Sequence, residues 1–262
     1  MCHDKSDPGF PGHASITETF LSIDTLDGPL QASLFMPQGA PRGCVLVASD
    51  MFGRSPFYRM LGKRLAAEGY VALVPELFSR LWPVADGDDK AGIARIMAFD
   101  RRVAMRDLQA MIAHIRLQHP ERGLAVMGFC IGGALAVSLA SRAAFEATVL
   151  FYATLSPRPA TELSPFVPLD DLAGCGTPLL AFWGDSDEFV PAEVIDAARD
   201  GIARSGQPHD IVVLPGQGHA FLTFDPAEPE YAASQQSWRQ TLGFLDTHLG
   251  ARENPLQPRV AR

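Results

Sequence analysis

Short runs of consecutive apolar residues, separated by segments with helical spacing, constrain the fold of this chain more than any other feature. Strands that are apolar on both faces are typical of a parallel sheet covered by helices. Such runs lie at 44–48, 70–74, 147–151, 179–183 and 211–214. Apolar residues recur at helical intervals at 57–68, 96–118, 192–204 and 229–248. The sequence therefore predicts an α/β fold, with a mostly parallel sheet and helices on both faces.

The remaining segments predict the borders of this unit. Two β-type runs, near 20–23 and 31–35, flank the turn residues Asp27-Gly28-Pro29 and predict an N-terminal antiparallel hairpin. We expect one domain over 15–250, a flexible leader at 1–14 and a flexible tail at 251–262. Two stretches lack periodicity: 81–95 is acidic, which we interpret as a surface excursion or small lid, and 154–176 is a Pro-rich loop.

Composition narrows the classes of function. The chain has 262 residues, with 22 Lys and Arg against 30 Asp and Glu and a formal net charge of -8. Apolar residues make up 47%, which excludes disordered and fibrous classes. Nucleic acid is an unfavourable partner because phosphate contacts require clustered cations, and the sequence has no block of Lys and Arg. We expect a small-molecule partner and leave open whether the chain is a monomer or a homodimer.

One uncharged stretch, 123–140, is 18 residues long and reaches the length of a membrane span. Three glycines interrupt it, so we interpret it as a buried strand, a sharp turn and a buried helix, and expect no membrane partner. No C-x-x-C pair occurs among the four cysteines, so zinc and dithiol motifs are absent, and no metal or cofactor is expected. The residues at the N-terminus have no apolar core typical of a signal peptide, and we expect a cytoplasmic location.

The segment Gly128-Phe129-Cys130-Ile131-Gly132-Gly133 matches the pattern G-x-nucleophile-x-G between a strand and a helix. Small residues two positions on either side of the nucleophile let the backbone turn sharply. The N-terminus of the following helix favours a thiolate and an oxyanion. An isolated cysteine in an apolar run is usually a small core residue. The flanking glycines and the strand–helix context favour a nucleophilic Cys130 instead.

A nucleophile on such a turn needs an acid and then a histidine later in the chain. His219 lies in the Gly-rich loop Gly216-Gln217-Gly218-His219 after a strand, and is our candidate base. His209 and His248 also follow Cys130, but a surface position explains the first and a helix end the second. Asp187, in the loop after the strand at 179–183, is our candidate acid, which fixes the imidazole tautomer. Asp185 instead holds the turn, and Glu188 is expected to be exposed.

These three motifs together resemble the dienelactone hydrolase family over roughly residues 15–250. The resemblance implies an α/β-hydrolase fold and a Cys-His-Asp triad, here Cys130, His219 and Asp187. It implies an ester or lactone hydrolase of the carboxymethylenebutenolidase type, without a cofactor, acting on a small and possibly anionic substrate. The cysteine nucleophile is the specific part of the match, because most α/β-hydrolases carry serine there.

The resemblance also implies further roles. The backbone N–H groups of Ile131 and Met51 would form the oxyanion hole, and Asp50 would contact the resting thiol where the family usually has Glu. Arg80, in Pro75-Glu76-Leu77-Phe78-Ser79-Arg80, would bind a substrate carboxylate. Phe221 is expected to contact substrate. The family's second carboxylate-binding Arg, a few residues after the catalytic His, is absent here.

The sequence leaves open one alternative role for Arg80 and two alternative functions for the chain. A surface ion pair with the acidic stretch 85–89 would also explain Arg80. The missing second arginine favours a thioesterase or short-chain acyl esterase on the same triad. A non-catalytic small-molecule binding protein is a third reading, which the intact triad argues against.

Overall fold

A computed structural model describes residues 16–85, 87–157 and 159–250 of the chain. The predicted leader at 1–14 and tail at 251–262 lie outside these ranges. The strands are β1 (Thr17–Ile23), β2 (Leu30–Met36), β3 (Gly43–Ala48), β4 (Tyr70–Pro75), β5 (Leu124–Phe129), β6 (Ala147–Phe151), β7 (Leu179–Gly184) and β8 (His209–Leu214). The helices are α1 (Pro56–Ala67), α2 (Asp89–Met97), α3 (Arg101–Gln118), α4 (Ile131–Ala140), α5 (Pro168–Asp171), α6 (Ala192–Ala203) and α7 (Tyr231–His248).

The eight strands form one sheet in the order β1-β2-β4-β3-β5-β6-β7-β8. β1 and β2 pair in antiparallel fashion, as does β2 with β4, and the other pairs are parallel. Every residue of β3 to β7 is buried, as expected when helices cover both faces. The predicted α/β fold and its N-terminal antiparallel hairpin are confirmed.

The strand order places the predicted site. After β3 the chain moves to β4 on one side and then returns to β5 on the other. The carboxyl ends of β3 and β5 therefore border a topological switch point, where open α/β sheets bind ligands. The loop with Met51 follows β3, and Cys130 follows β5 directly. The loops with Asp187 and His219 follow the parallel strands β7 and β8 at the same edge.

The prediction of one helix over 96–118 is wrong, because the structure has two helices there, with a break at 98–100. Asp100 causes the break: its carboxylate accepts hydrogen bonds from the Arg102 and Val103 N–H groups and so starts α3. The interpretation of 81–95 as irregular is also partly wrong. Asp88 caps α2 in the same way, through the Ala91 N–H at 3.0 Å, so the second half of that stretch is helical.

The remaining corrections are small. The predicted Pro-rich loop at 154–176 contains the short helix α5 and a single 3₁₀ turn at Leu172–Gly174. Pro168 at the first position of α5 explains the helix, since proline is tolerated there. β8 begins at His209, two residues earlier than its apolar run predicts.

Candidate active site

Cys130 occupies the sharp turn between β5 and α4. Its backbone has φ 52° and ψ -118°, a conformation that side chains rarely adopt, and it is the N-cap residue of α4. Two backbone hydrogen bonds hold the turn: the Cys130 N–H donates to the Phe151 carbonyl at 3.2 Å, and the Thr154 N–H donates to the Cys130 carbonyl at 3.0 Å. The neighbouring strand β6 and the segment after it therefore enforce the strained conformation.

Glycines beside Cys130 let the backbone pack closely enough to make this turn. A Cβ at Gly132 would lie 2.1 Å from the Ala48 carbonyl oxygen, and a Cβ at Gly128 would lie 2.6 Å from the Gly132 carbonyl oxygen. Neither backbone neighbour could move aside. The start of α4 consequently lies against the end of β3, which brings Ile131 near the loop that carries Met51.

His219 and Asp187 form a buried pair. The His219 Nδ1 lies 2.7 Å from Asp187 Oδ2, and the side chains are 3% and 0% exposed. The other carboxylate oxygen, Oδ1, accepts hydrogen bonds from the N–H groups of Phe189 and Val190 at 2.8 and 3.2 Å. The rings of Tyr152 and Phe189 contact the imidazole edge-on at 5.1 and 5.0 Å. The imidazole is therefore fixed in position.

Electrostatics favour the charged form of this imidazole. Burial opposes the charge on His219, but the negative charge of the Cys130 sulfur and the hydrogen bond with Asp187 prevail. Together they raise the pKa of His219 from 6.5 to about 9. The structure thus brings Cys130, His219 and Asp187 together, in an arrangement able to hold a thiolate–imidazolium pair.

Two backbone N–H groups are available beside the sulfur. Ile131 is the first residue of α4, where an N–H has no partner within the helix. Within the described residues the Met51 N–H donates to no hydrogen bond. Both residues line the same cavity as Cys130. Two such donors can stabilise an oxyanion, and the predicted oxyanion hole of Ile131 and Met51 stays a prediction.

The loop from Asp50 to Arg54 is held by several hydrogen bonds. The buried Asp50 carboxylate accepts the Phe52 N–H at 2.9 Å, and the Asp50 N–H donates to the Tyr58 hydroxyl at 3.1 Å. The Arg54 N–H donates to Glu76 Oε2 at 3.1 Å. Asp50 therefore shapes the loop of Met51, and its predicted contact with the thiol stays a prediction.

Cys130, Ile131, Met51 and His219 border a cavity of about 590 Å³. Its other apolar lining residues come from several elements: Ile93, Ile96, Leu155, Pro157, Phe189, Pro191 and Val194. Its remaining polar lining residues are Asp89, Arg101, Thr154, Ser156 and Glu193. Cys130 is buried, with 5% of the residue exposed, yet it lines a volume suited to a small ligand.

Arg101 brings a positive charge into this cavity. It is the first residue of α3, and its guanidinium has no ion-pair or hydrogen-bond partner among the residues that the structure describes. Burial lowers the pKa of Arg101, while the charge of Cys130 opposes that effect. A partly buried cation without an ion-pair partner is suited to an anionic group of a ligand.

The structure places Arg80 outside this cavity. Its guanidinium forms a salt bridge with the buried Asp107, and donates to the carbonyls of Asp27 and Gly28 at 3.1 and 3.0 Å and to the Thr25 hydroxyl at 3.2 Å. Arg80 therefore forms its ion pair with Asp107 of α3, and not with the acidic stretch 85–89.

Phe221 is likewise not among the residues that line the cavity. It is 1% exposed and packs against the rings of Phe151 and Tyr152. Substrate contacts by Arg80 and Phe221 stay predictions.

The other ionisable groups of interest lie apart from the cavity. Cys44 and Cys175 are free and buried, and burial raises the pKa of each thiol to about 12. Asp185 holds its turn, with Oδ1 accepting the Gly216 N–H at 2.7 Å, and Glu188 is exposed. Across 16–85, 87–157 and 159–250, no cluster of three or more His, Cys, Asp or Glu is arranged to hold a metal. No helix in these ranges is long and apolar enough to cross a membrane.

Sequence reasoning missed Arg101 and the contribution of α2, which supplies Ile93 and Ile96 to the cavity. Asp88 and Asp100, which cap α2 and α3, are the sequence features that could have predicted where these helices begin. No local signal distinguishes Arg101 from its neighbour Arg102, which pairs with Asp100 at the surface.

Comparisons with known proteins identify the family and the fold of the chain. The model of the dienelactone hydrolase family matches residues 30–249. The carboxymethylenebutenolidase of Rhodococcus opacus is 30% identical over 252 residues, which cover 95% of this chain and 98% of that protein. The crystal structure of a candidate dienelactone hydrolase from Klebsiella pneumoniae subsp. pneumoniae MGH 78578 has a TM-score of 0.78 and 25% identity, covering 88% of this chain and 98% of that one. The dienelactone hydrolase of Anabaena variabilis ATCC 29413 shares the fold, with a TM-score of 0.64 and 19% identity over 89% of this chain and 99% of that one.

Proposed function

Because this chain belongs to the dienelactone hydrolase family, we propose that it cleaves a lactone or carboxylic ester of the carboxymethylenebutenolidase type through an acyl-enzyme on Cys130. The observation that carries the proposal is the position of Cys130. It lies on a strained turn at a helix N-terminus, beside the buried His219–Asp187 pair and facing the cavity. Nucleophile, base and orienting acid are the groups that acyl transfer requires.

In the first step the Cys130 thiolate attacks the carbonyl carbon of the substrate. The carbonyl π electrons move to oxygen, and the N–H groups of Ile131 and Met51 stabilise the resulting oxyanion. The tetrahedral intermediate collapses with cleavage of the bond to the leaving oxygen, which takes the proton from the His219 imidazolium. The products of this step are a thioester on Cys130 and a neutral imidazole.

In the second step water hydrolyses the thioester. Neutral His219 takes a proton from the attacking water, and Asp187 stabilises the imidazolium that forms. The second tetrahedral intermediate expels the Cys130 thiolate, which restores the thiolate–imidazolium pair. Thiolates leave readily, so this step requires no further acid.

The cavity favours a substrate with an apolar body, and Arg101 favours one negative group against the opposing charges of Asp89 and Glu193 in the same lining. Apolar side chains such as Ile93, Ile96 and Val194 line it, and Arg101 supplies the cation. We assign carboxylate recognition to Arg101 rather than to Arg80, whose guanidinium is bound to Asp107 and to the hairpin turn. A thioesterase or short-chain acyl esterase is the second candidate, which the same apolar walls favour because they suit an acyl chain.

Replacement of the nucleophile tests the proposal. We expect Cys130→Ala to lower hydrolysis of a lactone and ester panel by at least about 10³-fold, because no nucleophile remains. Mass spectrometry of the wild-type protein, mixed rapidly with an activated ester, should show the acyl group on Cys130.

The matched control is Cys175→Ala, which removes a thiol buried away from the cavity. It should keep both the activity and the acyl group on Cys130. Substantial turnover by Cys130→Ala would show that another group performs the chemistry. Failure of every activated ester to acylate the wild-type protein would favour a non-catalytic binding protein.

A further inference from the structure

Arg95 is a buried cation with an unusual set of partners. It lies in α2 and is 4% exposed. Its Nε donates to the Met51 carbonyl at 3.0 Å, and its Nη2 donates to the same oxygen. Nη1 reaches the Trp82 carbonyl at 3.3 Å, and the guanidinium carbon lies 4.5 Å from the centre of the Phe78 ring. Its hydrogen-bond partners are backbone carbonyls, and no carboxylate forms a salt bridge with it in the described part of the chain.

This arrangement lowers the stability of the fold, which suggests that it has a function. Burial of a cation without an ion-pair partner is unfavourable, and burial lowers the pKa of Arg95 although Glu76 and Asp50 partly oppose that effect. A neutral side chain could satisfy one loop carbonyl. Two donors on one oxygen, held in the rigid plane of a guanidinium, fix the direction of that carbonyl more tightly.

The consequence falls on the Met51–Phe52 peptide. Arg95 binds its carbonyl oxygen, and the Asp50 carboxylate accepts its N–H at 2.9 Å. The peptide is therefore held at both ends. The preceding peptide closes a turn, with the Gly53 N–H donating to the Asp50 carbonyl at 3.1 Å. Between these two fixed groups lies the Met51 N–H, which donates to no hydrogen bond in the described residues.

From these contacts, and resting on the proposed function, we infer that Arg95 is a positioning residue for the oxyanion hole. It touches neither substrate nor sulfur in this assignment. It fixes the Met51–Phe52 peptide so that the neighbouring Met51 N–H points at the oxyanion formed on Cys130. Because Ile93 and Ile96 of the same helix line the cavity, α2 links the surface that contacts substrate to the donor that stabilises the reaction.

Two reactions of one sulfur separate this role from a structural one. Attack on p-nitrophenyl acetate creates an oxyanion, whereas attack on iodoacetamide displaces iodide without one. In a Cys2→Ser background, we expect Arg95→Met to lower the limiting acylation rate of Cys130 about 10- to 100-fold, with the half-saturating ester concentration little changed. The alkylation rate of Cys130 should stay within about twofold, since that reaction uses no oxyanion donor.

Two further variants complete the design. Arg95→Lys keeps the charge but loses the planar pair of donors. Its acylation rate should therefore lie between that of the protein with Arg95 intact and that of Arg95→Met. Lys90→Met removes an exposed cation from the same helix and should change neither rate. If Arg95→Met does not fold, Arg95→Lys decides: a loss of acylation of about fivefold or more at unchanged alkylation supports the inference.

Parallel loss of acylation and alkylation would overturn it, since a general disturbance of the site would then explain the effect. Unchanged acylation in Arg95→Met would overturn it as well. Failure of the proposed function has a different signature, namely hydrolysis that survives in Cys130→Ala, or an absence of acyl-enzyme in the wild-type protein.

Discussion

At the scale of single residues, backbone strain is concentrated around the imidazole. The three non-glycine residues with positive φ in the described ranges are Cys130, Tyr152 and Ala220, at 52°, 38° and 57°. Ala220 follows His219 directly, the Tyr152 ring contacts the imidazole, and Cys130 carries the sulfur beside it. Such conformations persist where surrounding structure enforces them, and they are common at active sites. Here the three strained residues surround the His219 imidazole and fix its position relative to the Cys130 sulfur.

The charge on this imidazole gives a prediction for pH dependence. Burial lowers the pKa of His219, but Cys130 and Asp187 raise it to about 9, so the imidazolium is present at neutral pH and is lost as the pH rises through about 9. We expect kcat/KM for a lactone with a poor leaving group to fall above that pH, because the leaving oxygen needs the proton. NMR titration of the His219 ring should show a midpoint near the same value.

In Cys130→Ala the midpoint should move to lower pH, because burial still disfavours the imidazolium and the sulfur no longer stabilises it. Cys175→Ala is the control and should leave the titration unchanged. A midpoint near 6.5 in the wild-type protein would contradict the proposed thiolate–imidazolium pair.

At the scale of elements, the starts of α2 and α3 determine what the cavity contains. Two aspartates, Asp88 and Asp100, cap these helices and divide a stretch whose periodicity alone predicts a single helix. The cap at Asp100 puts Arg101 in the first turn of α3, facing the cavity, and leaves Arg102 at the surface. An arginine side chain can thus face the cavity or the solvent according to a difference of one position in the helix.

Arg101 gives a prediction at this scale. We expect Arg101→Met to raise KM about 10- to 100-fold for an ester that carries a free carboxylate, because a charge-assisted contact is worth about 1.5–3 kcal/mol. The corresponding neutral methyl ester should be hydrolysed nearly as before. Steady-state kinetics on the matched pair of esters measures the difference.

The adjacent Arg102→Met is the matched control, since Arg102 is partly exposed and paired with Asp100. It should leave the preference for the carboxylate unchanged. Equal losses on both esters in Arg101→Met would instead favour the esterase candidate, in which no carboxylate is recognised.

At the scale of the whole molecule, the sheet and the proximity of Cys130, Asp187 and His219 were predictable because their signals are local. Apolar runs mark buried strands, and the glycines around Cys130 mark a turn that only small neighbours permit. The partners of the arginines were not predictable, because they depend on which elements pack together. Arg80 meets Asp107 of α3 and the β1–β2 turn, positions distant in sequence that only the folded sheet brings together. The position of α2 over the Met51 loop also depends on how distant elements pack together, so it was not predictable either.

The network at Arg80 gives a prediction for stability. Arg80→Met leaves Asp107 buried without its cation, so we expect the free energy of unfolding to fall by about 3 kcal/mol. Arg199→Met, which removes an exposed pair with Asp196, should change it by less than about 0.5 kcal/mol. Urea unfolding of the variants provides the comparison.

The same variant also tests the role that the family resemblance assigns to Arg80. If Arg80→Met is as stable as the wild-type protein but has a raised KM for carboxylate-bearing esters only, Arg80 binds substrate. In that case the arrangement around Asp107 does not describe the working state of the molecule.

The burial of Cys44 and Cys175 has a consequence for damage by oxidants. Thiols that stay protonated in the core react slowly with peroxide, whereas a thiolate beside an imidazolium reacts readily. Among the three cysteines that the structure describes, oxidation should therefore begin at Cys130. If Cys130 is the nucleophile as proposed, loss of catalysis would come before any loss of folded protein, and a thiol reductant would restore activity as long as the sulfur had advanced only to the sulfenic acid.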